Sequence, residues 1–343
     1  MNCRHPRGSA RQLQSGAALV VAMLVFAICA ALVVAMESEF TRFSQRAANQ
    51  LLAEQAYAYL RGAEELAGLA LLADFDQDRE RDAPRDDLGE LWAQPAAPYA
   101  LDDGGWLQGS LIDLQGRFNL NALADKPSGE SGAASFTAAQ AQFIRLLQAL
   151  GEPAVSQQEA IMITQAVGDW LDSDANPSPE GAEDDYYFSR EPSHRVPNRP
   201  MASVSELRAV AYVTPEIYQA LAPWVTVWPQ APATLNIHTA PAVLLRTINA
   251  DKNLSPLSET DGQSLAEYRE ANGFADIDEF LENAVFGSIQ EQMVQTRALL
   301  GQSTRYFLLE AEVKVADRNM RLYSVLERRN RQITAIARAS GSL

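Results

Sequence analysis

The chain has 343 residues, 47% hydrophobic and 21% charged, which is the composition of a globular protein rather than a disordered or collagen-like one. Its 28 basic and 44 acidic side chains give a formal charge of −16, which disfavours general binding to phosphate backbones. The cysteines, Cys3 and Cys29, both lie near the N-terminus, and the three histidines are far apart. A disulfide framework in the rest of the chain and a histidine-rich zinc site are therefore excluded.

The N-terminus joins a basic leader to a long apolar segment. Arg4, Arg7 and Arg11 precede residues 17–36, a run of 20 uncharged residues. A helix of that length spans roughly 30 Å, the thickness of a bilayer's hydrocarbon core. Because basic residues precede the run and acidic residues follow it, the positive-inside rule predicts a single-pass topology with a cytoplasmic N-terminus.

Three interpretations fit this segment. A secretory signal peptide would be cleaved after Ala35, although the run exceeds the usual length of about 7 to 15 residues, and a plain signal anchor would keep the whole segment. The third interpretation depends on Gly16, which separates the leader from the run. This arrangement resembles the class III signal peptides of type IV pilins and pseudopilins, which prepilin peptidase cleaves after the glycine. That resemblance implies removal of residues 1–16 and leaves Ala17 as the mature N-terminus.

Val21 is the position at which the sequence departs from the pilin pattern. Most pilins have glutamate as the fifth mature residue, where it is thought to meet the free amine of the subunit added before it. An unpaired carboxylate in hydrocarbon costs about 2.5–3.5 kcal/mol on insertion scales. Val21 therefore suits a first subunit, at the tip of a fibre, and the alternative is a lipid-facing residue of an ordinary anchor.

The remaining chain combines helical and strand patterns. Residues 40–72 continue the helical period beyond the membrane segment, and residues 104–114 alternate as a strand does. The other predicted helices are 137–150, 156–171, 203–211, 214–223, 240–249, 260–272, 276–284 and 287–300. The predicted C-terminal strands are 304–315, 320–327 and 333–338, with a turn at 317–319. A long helix packed on an antiparallel sheet is an α+β arrangement.

Two segments within the helical region echo each other. Residues 118–123 resemble residues 235–241, and two predicted helices follow each segment. The second copy, with residues 268–274, resembles helix-hairpin-helix modules, which often bind DNA. Its hairpin lacks the glycine-rich turn that would present amides to phosphate, so packing against protein is favoured over nucleic-acid binding.

Residues 169–191 form an acidic loop with eight acidic side chains and one basic residue, Arg190. Their spacing matches several ligand positions of a calcium loop, but Pro177 replaces the required glycine, so a true EF-hand is not expected. The oxygen donors still suit Ca²⁺, a hard cation that takes about six to eight such ligands. The candidate ligands are Asp172, Asp174, Glu180, Glu183, Asp184 and Asp185. The alternative is a solvated acidic loop.

A second acidic segment, residues 74–90, also holds eight acidic side chains. It contains three arginines, including Arg79 and Arg85, which can pair with the acids locally. A solvated loop is therefore the prediction for this segment. The sequence has no nucleophile elbow, phosphate-binding loop or histidine–carboxylate–serine grouping, which indicates that the protein is not an enzyme.

Five stretches together resemble the K-type family, the large minor pseudopilins of type II secretion. They are the leader with Gly16 and Val21, and residues 113–121, 168–174, 181–186 and 198–208. The resemblance covers nearly the whole chain. It implies a pseudopilin fold of the α+β class, formed by residues 37–117 and 301–343. An all-helical inserted domain of residues 118–300 would carry calcium in the acidic loop.

The same resemblance implies a cellular role. The protein would be held in the inner membrane by residues 17–36, with its C-terminal domain in the periplasm. With I-type and J-type minor pseudopilins it would form the pseudopilus tip and prime assembly of the major pseudopilin. The fibre would then export folded proteins through the outer-membrane secretin. The alternative is a minor pilin of a type IV pilus or DNA-uptake system that binds a ligand through the helix-hairpin-helix-like module.

Overall fold

The computed structural model describes residues 15–80, 84–102, 104–126 and 136–341, and the chain divides into two compact units, Met1–Tyr57 and Ala58–Leu343. Helix α1, Ser15–Asp78, begins in the first unit. Its proline-free sequence is rich in alanine and leucine, both strong helix formers, so the predicted helix at 40–72 is confirmed. By length and composition, α1 is apolar enough to cross a membrane. Leader residues 1–14 lie outside the described residues.

The second unit is built on an antiparallel sheet. The strands of the described residues are β1 Tyr99–Ala100, β2 Trp106–Asp113, β3 Phe118–Asn119, β4 Val225–Thr226, β5 Leu235–Asn236, β6 Leu300–Gly301, β7 Tyr306–Val315, β8 Arg318–Arg329 and β9 Gln332–Ala339. Five of them form one sheet in the order β1-β2-β7-β8-β9, with antiparallel neighbours throughout. The strand predicted at 104–114 and the three C-terminal strands are therefore confirmed.

Alternation along β7 explains the packing of this sheet. Its apolar residues Phe307, Leu309, Ala311 and Val313 are buried, and the intervening Glu310 is exposed. The turn that follows occupies residues 316–317 instead of the predicted 317–319. The difference arises because Arg318 already pairs with Val315 in the β7–β8 ladder.

The C-terminal turns of α1 pack on the sheet within the second unit. Leu71 is fully buried there, and Gly68 faces Ile333 of β9. Glu64, buried on the same helix, accepts hydrogen bonds from Ser324 Oγ at 2.7 Å and Arg338 Nε at 2.8 Å. These bonds tie α1 to both β8 and β9.

The insert between β2 and β7 is mostly helical. Its α-helices are α2 Ala138–Ala149, α3 Gln157–Leu171, α4 Asp184–Phe188, α5 Pro215–Leu221, α6 Ala242–Leu245, α7 Glu259–Asn272, α8 Ile277–Leu281 and α9 Val294–Arg297. Its 3-10 helices are Leu120–Ala124, Val204–Ala209, Ala222–Trp224, Ala284–Phe286 and Gln290–Gln292. The expectation of an all-helical insert is wrong, because two short pairs of parallel strands lie between the helices.

These strand pairs close two halves of the insert and explain the internal sequence echo. β3 pairs with β4, and β5 pairs with β6. Asn119 and Asn236 hold equivalent positions in the two halves. Asn119 Oδ1 accepts from the amide of Asn121, and Asn236 Oδ1 accepts from the amide of His238, each at 3.0 Å. The repeat predicted from the sequence is thus visible as two strand-bounded modules.

The helices predicted at 240–249 and 287–300 depart most from the expected lengths. The helix predicted at 240–249 ends at Leu245, because the buried Arg145 side chain binds the following carbonyls, including Thr247 O at 2.9 Å and Ala250 O at 2.7 Å. The helix predicted at 287–300 is split. Asp251 caps a new helix, α9, by accepting from the amide of Thr296 at 2.9 Å, and the chain then pairs with β5.

The prediction of a solvated loop at 74–90 is wrong. Asp74, Asp86 and Glu90 are all buried, and Arg328 of β8 pairs with two of them. The Arg328 Nη1 to Asp74 Oδ2 distance is 2.8 Å, and Nη2 contacts Asp86. Local pairing by arginine does occur between Arg85 and Asp87, at 3.0 Å. The main counter-charge comes from β8, which no local sequence pattern can reveal.

Candidate metal site

The acidic loop is held against α3 by one buried carboxylate. Asp169, in the last turn of α3, is fully buried and accepts hydrogen bonds from Ser178 Oγ at 2.7 Å and the Ala182 amide at 2.9 Å. Burial raises the pKa of Asp169, and these hydrogen bonds oppose that shift. Asp169 therefore folds the loop back toward the helix that precedes it.

Three of the six predicted ligands of this loop lie close together. One carboxylate oxygen from each of Asp172, Asp174 and Glu183 lies within 4.8 Å of the other two. Calcium–oxygen distances of about 2.3–2.6 Å allow two ligands of one ion to be separated by up to about 5 Å. The three carboxylates are therefore close enough to share one ion.

The loop backbone fixes which oxygen of each aspartate is available. Asp172 Oδ1 accepts from the amide of Asp174 at 3.0 Å, and Asp174 Oδ1 accepts from the amide of Asn176 at 2.9 Å. Asn198 holds the same turn by donating to the Asp174 carbonyl at 2.8 Å. The Oδ2 atoms of the two aspartates are left to face a cation.

Glu183 is the acid that most clearly lacks a partner. The residue is only 5% exposed, and among the described residues neither carboxylate oxygen receives a hydrogen bond. Burial, followed by repulsion from Asp169, Asp172 and other acids, raises the pKa of Glu183 to about 7. A buried carboxylate of this kind is expensive unless a cation neutralises it.

Lys126 is a member of the site that the sequence analysis missed. Its Nζ lies 3.1 Å from Asp172 Oδ2 and 2.5 Å from Asp174 Oδ2. The residue is more than 40 positions upstream of the acidic loop and belongs to no ligand motif, so only the fold brings it there.

The other predicted ligands lie outside the three-carboxylate cluster. Glu180 and Asp185 are exposed, and Asp184 Oδ1 accepts from the amide of Val196 at 3.0 Å. Asp184 and Asp185 also occupy the first turn of α4, where the helix dipole stabilises negative charge. The structure thus gives these acids surroundings different from those of Asp172, Asp174 and Glu183.

The predicted processing and assembly residues are in the first unit. Gly16 and Ala17 lie at the start of α1, and Val21 is exposed on the same helix. In the helix-hairpin-helix-like module, the basic Arg269 donates to the carbonyls of Ile237 at 3.1 Å and Ala240 at 2.5 Å. Its guanidinium is therefore engaged in holding the module together.

The fold defines the class of the protein. A long, partly apolar N-terminal helix whose C-terminal turns pack on an antiparallel sheet, with a mostly helical insert before β7, is the α+β architecture of a pseudopilin. The solved structure of the GspK-GspI-GspJ complex from the type 2 secretion system of enterotoxigenic Escherichia coli supports this assignment. The matching chain has 26% sequence identity and a TM-score of 0.73, and the match covers 87% of this chain and 100% of that chain.

Family models and relatives give the particular assignment. Two models described as type II secretion system protein K match residues 116–230 and 235–300, which correspond to the two halves of the insert. Type II secretion system protein K of Pseudomonas aeruginosa is 33% identical over 339 residues, covering 96% of this chain and 94% of the relative. The protein of the same description from Aeromonas hydrophila is 34% identical over 244 residues, covering 70% of this chain and 72% of the relative. The chain belongs to the type II secretion system protein K family.

Proposed function

We propose that the protein is a non-catalytic minor pseudopilin at the tip of the type II secretion pseudopilus, bound to I-type and J-type pseudopilins. The match to a chain of the GspK-GspI-GspJ complex carries this proposal, because it extends over 87% of this chain and 100% of that chain. The bulky insert also favours an end position. A domain of this size on every subunit would obstruct the regular packing of subunits along a fibre.

Complex formation is tested by co-expressing the full chain with the I-type and J-type pseudopilins of its own secretion system in membranes. Detergent extraction followed by gel filtration should give one complex that contains all three chains. The proposal would be contradicted if this chain eluted separately from a complex of the other two. Labelled protein should occur at fibre ends and not along the shafts, where the major pseudopilin predominates.

Processing and topology form the second part of the proposal. Prepilin peptidase removes residues 1–16 on the cytoplasmic side, and residues 17–36 remain as the inner-membrane anchor. The basic leader and the exposed apolar helix support this topology. The mass of membrane-extracted protein, with and without prepilin peptidase, tests it. Loss of residues 1–16 is expected, whereas cleavage after Ala35 would give a soluble secreted protein and contradict the anchor.

Val21 supports the tip position within this scheme. A subunit without a predecessor has no amine to pair with a carboxylate at that position, so valine avoids a cost of about 2.5–3.5 kcal/mol. Val21→Glu should therefore reduce the amount of membrane-inserted protein or of primed fibres, and Val21→Leu should not. Equal fibre numbers from both variants would remove this support for the tip model.

Calcium binding is the third part of the proposal. Asp172, Asp174 and Glu183 would hold the ion with hard oxygen donors. The fit is supported by the buried Glu183 carboxylate, which receives no hydrogen bond from any residue that the structure describes. The ion would neutralise most of the charge of the three carboxylates and fix the loop between α3 and α4. Calorimetric titration with Ca²⁺ should show binding that Glu183→Gln weakens strongly, whereas Glu180→Gln, at an exposed acid, should change it little. No binding by the wild-type protein would refute the proposal.

A further inference from the structure

We infer that the Lys126 ammonium occupies the cation position when the metal is absent, and that the metal must displace it in order to bind. This inference rests on the proposed calcium function and concerns how the same site is controlled. It assigns to Lys126 the role of a built-in competitor that sets the affinity of the site.

The hydrogen bonds of the two aspartates carry the first step. In each carboxylate Oδ1 is already engaged by a backbone amide, at 3.0 Å in Asp172 and 2.9 Å in Asp174. The oxygen that remains for a metal is Oδ2 in both residues. Lys126 Nζ binds those same two oxygens, at 3.1 and 2.5 Å. Lysine and metal therefore compete for the same ligand atoms.

Charge carries the second step. Lys126 brings one positive charge to three neighbouring carboxylates, and among the described residues Glu183 still has no hydrogen-bond donor on either oxygen. A divalent cation placed among the three carboxylates would neutralise more of their charge than the ammonium does. The lysine ammonium thus partly substitutes for the metal. It stabilises the metal-free loop, and a divalent cation that binds the carboxylates more strongly displaces it.

The third step depends on the exposure of Lys126, because a displaced ammonium must be able to move into solvent. The Lys126 side chain is 47% exposed, so its ammonium can leave the aspartates and return to water at little desolvation cost. Release from the cluster adds no buried charge elsewhere. The exchange of one cation for another therefore requires a change of side-chain rotamer and no refolding of α3.

Chemical labelling of the wild-type full chain in detergent tests the displacement directly. The sequence has three lysines, Lys126, Lys252 and Lys314, and the last two are exposed and serve as internal controls. Acetylation at limiting reagent, read by mass spectrometry, should modify Lys126 slowly in chelator. Saturating Ca²⁺ should raise its rate severalfold and leave both controls unchanged. An unchanged Lys126 rate in protein shown by calorimetry to hold Ca²⁺ would overturn the inference.

Calorimetry on variants provides the second measurement. Lys126→Met, which keeps the length of the side chain without its charge, should bind Ca²⁺ about tenfold more tightly or better, whereas Lys126→Arg should stay close to the wild-type affinity. Equal or weaker binding by Lys126→Met would show a supporting role in the metal-bound state and overturn the inference.

The two proposals fail in distinguishable ways. Ca²⁺ binding by Lys126→Met without binding by the wild-type protein would refute the calcium function of the natural chain, while still showing that Lys126 opposes the metal. No binding by the wild-type protein, Lys126→Met or Lys126→Arg would refute the calcium function and this inference with it. Wild-type binding without any effect of position 126 would refute the inference alone.

Discussion

The Asp169 carboxylate lies in the space that a side chain at position 181 would need. A Cβ atom added to Gly181 would be 1.9 Å from Asp169 Oδ2 and 2.8 Å from its carboxyl carbon. This close approach lets the Ala182 amide reach the carboxylate at 2.9 Å. The acidic loop is therefore closed by a contact between a fully buried acid and a residue with no side chain.

Gly181→Ala should destabilise the protein by about 2–3 kcal/mol, because the added methyl must push the buried carboxylate away from its donors. Thermal unfolding measures the loss, and Ca²⁺ affinity should fall with it. Gly287→Ala is the matched control, since its Cβ would meet the nearest atom at an ordinary 3.5 Å. Similar melting temperatures for the two variants would contradict the structural role given to Gly181.

Glu183→Gln should stabilise the metal-free protein in a pH-dependent way. The pKa of Glu183 is raised from 4.5 to about 7, so the wild-type protein loses stability as the pH rises from the unfolded-state value through the folded-state value. Glutamine does not ionise. In chelator, the variant should therefore melt close to the wild type at pH 5 and above it at pH 8. A constant difference across this range would show that Glu183 does not titrate as inferred.

Arg328→Met should be among the most destabilising single changes, at about 3–5 kcal/mol, because it leaves the buried Asp74 and Asp86 without their counter-charge. Chemical denaturation measures the effect. Arg331→Met is the control: Arg331 pairs with Asp76 at 2.8 Å, but its side chain is 70% exposed. Exposed pairs contribute about 0–1 kcal/mol, so the control should stay near the wild type.

Acid should partly rescue Arg328→Met. Burial raises the pKa of Asp74 to about 7 and that of Asp86 to about 6 even with the arginine present, so both protonate more readily in the folded state. Protonation removes the unpaired charges. The free-energy difference between the variant and the wild type should therefore be smaller at pH 5 than at pH 8, and a larger difference at pH 5 would contradict this account.

Arg145→Lys tests how the second half of the insert is held to α2 in the first half. The buried Arg145 guanidinium donates to the carbonyls of Thr247, Ala250 and Asn253 at 2.7–2.9 Å. An ammonium cannot reproduce the planar fork that serves these three acceptors, so a loss of about 2–4 kcal/mol is expected. Arg329→Lys, at a side chain 72% exposed, should be neutral. Equal denaturation midpoints for the two variants would refute the role of Arg145.

Local patterns in the sequence were sufficient for the elements whose packing follows a simple period. The apolar run of residues 17–36 and the helical pattern of residues 40–72 form one helix, and the alternating residues 304–315 form β7. The echo between residues 118–123 and 235–241 marked the two strand-bounded modules of the insert. These features depend on neighbours a few residues apart, which the sequence displays directly.

The candidate site was less predictable than the fold. The sequence identified an acidic loop with oxygen donors for calcium, and three of the six predicted ligands lie together. Spacing could not separate Asp172 and Asp174 from Asp184 and Asp185, because only the backbone turn decides which carboxylates converge. The sequence also predicted a solvated loop at residues 74–90, whereas Asp74 and Asp86 of that segment are buried.

By itself, the sequence determined the long apolar N-terminal helix, the α+β class, the helices of the insert and the acidic loop, because each depends on periodicity or on local composition. Tertiary structure decided which charges meet. Arg328 reaches Asp86 across 242 residues, and Lys126 reaches Asp174 across 48. Electrostatic energy depends on distance and burial in space, and both are set only when the chain has folded.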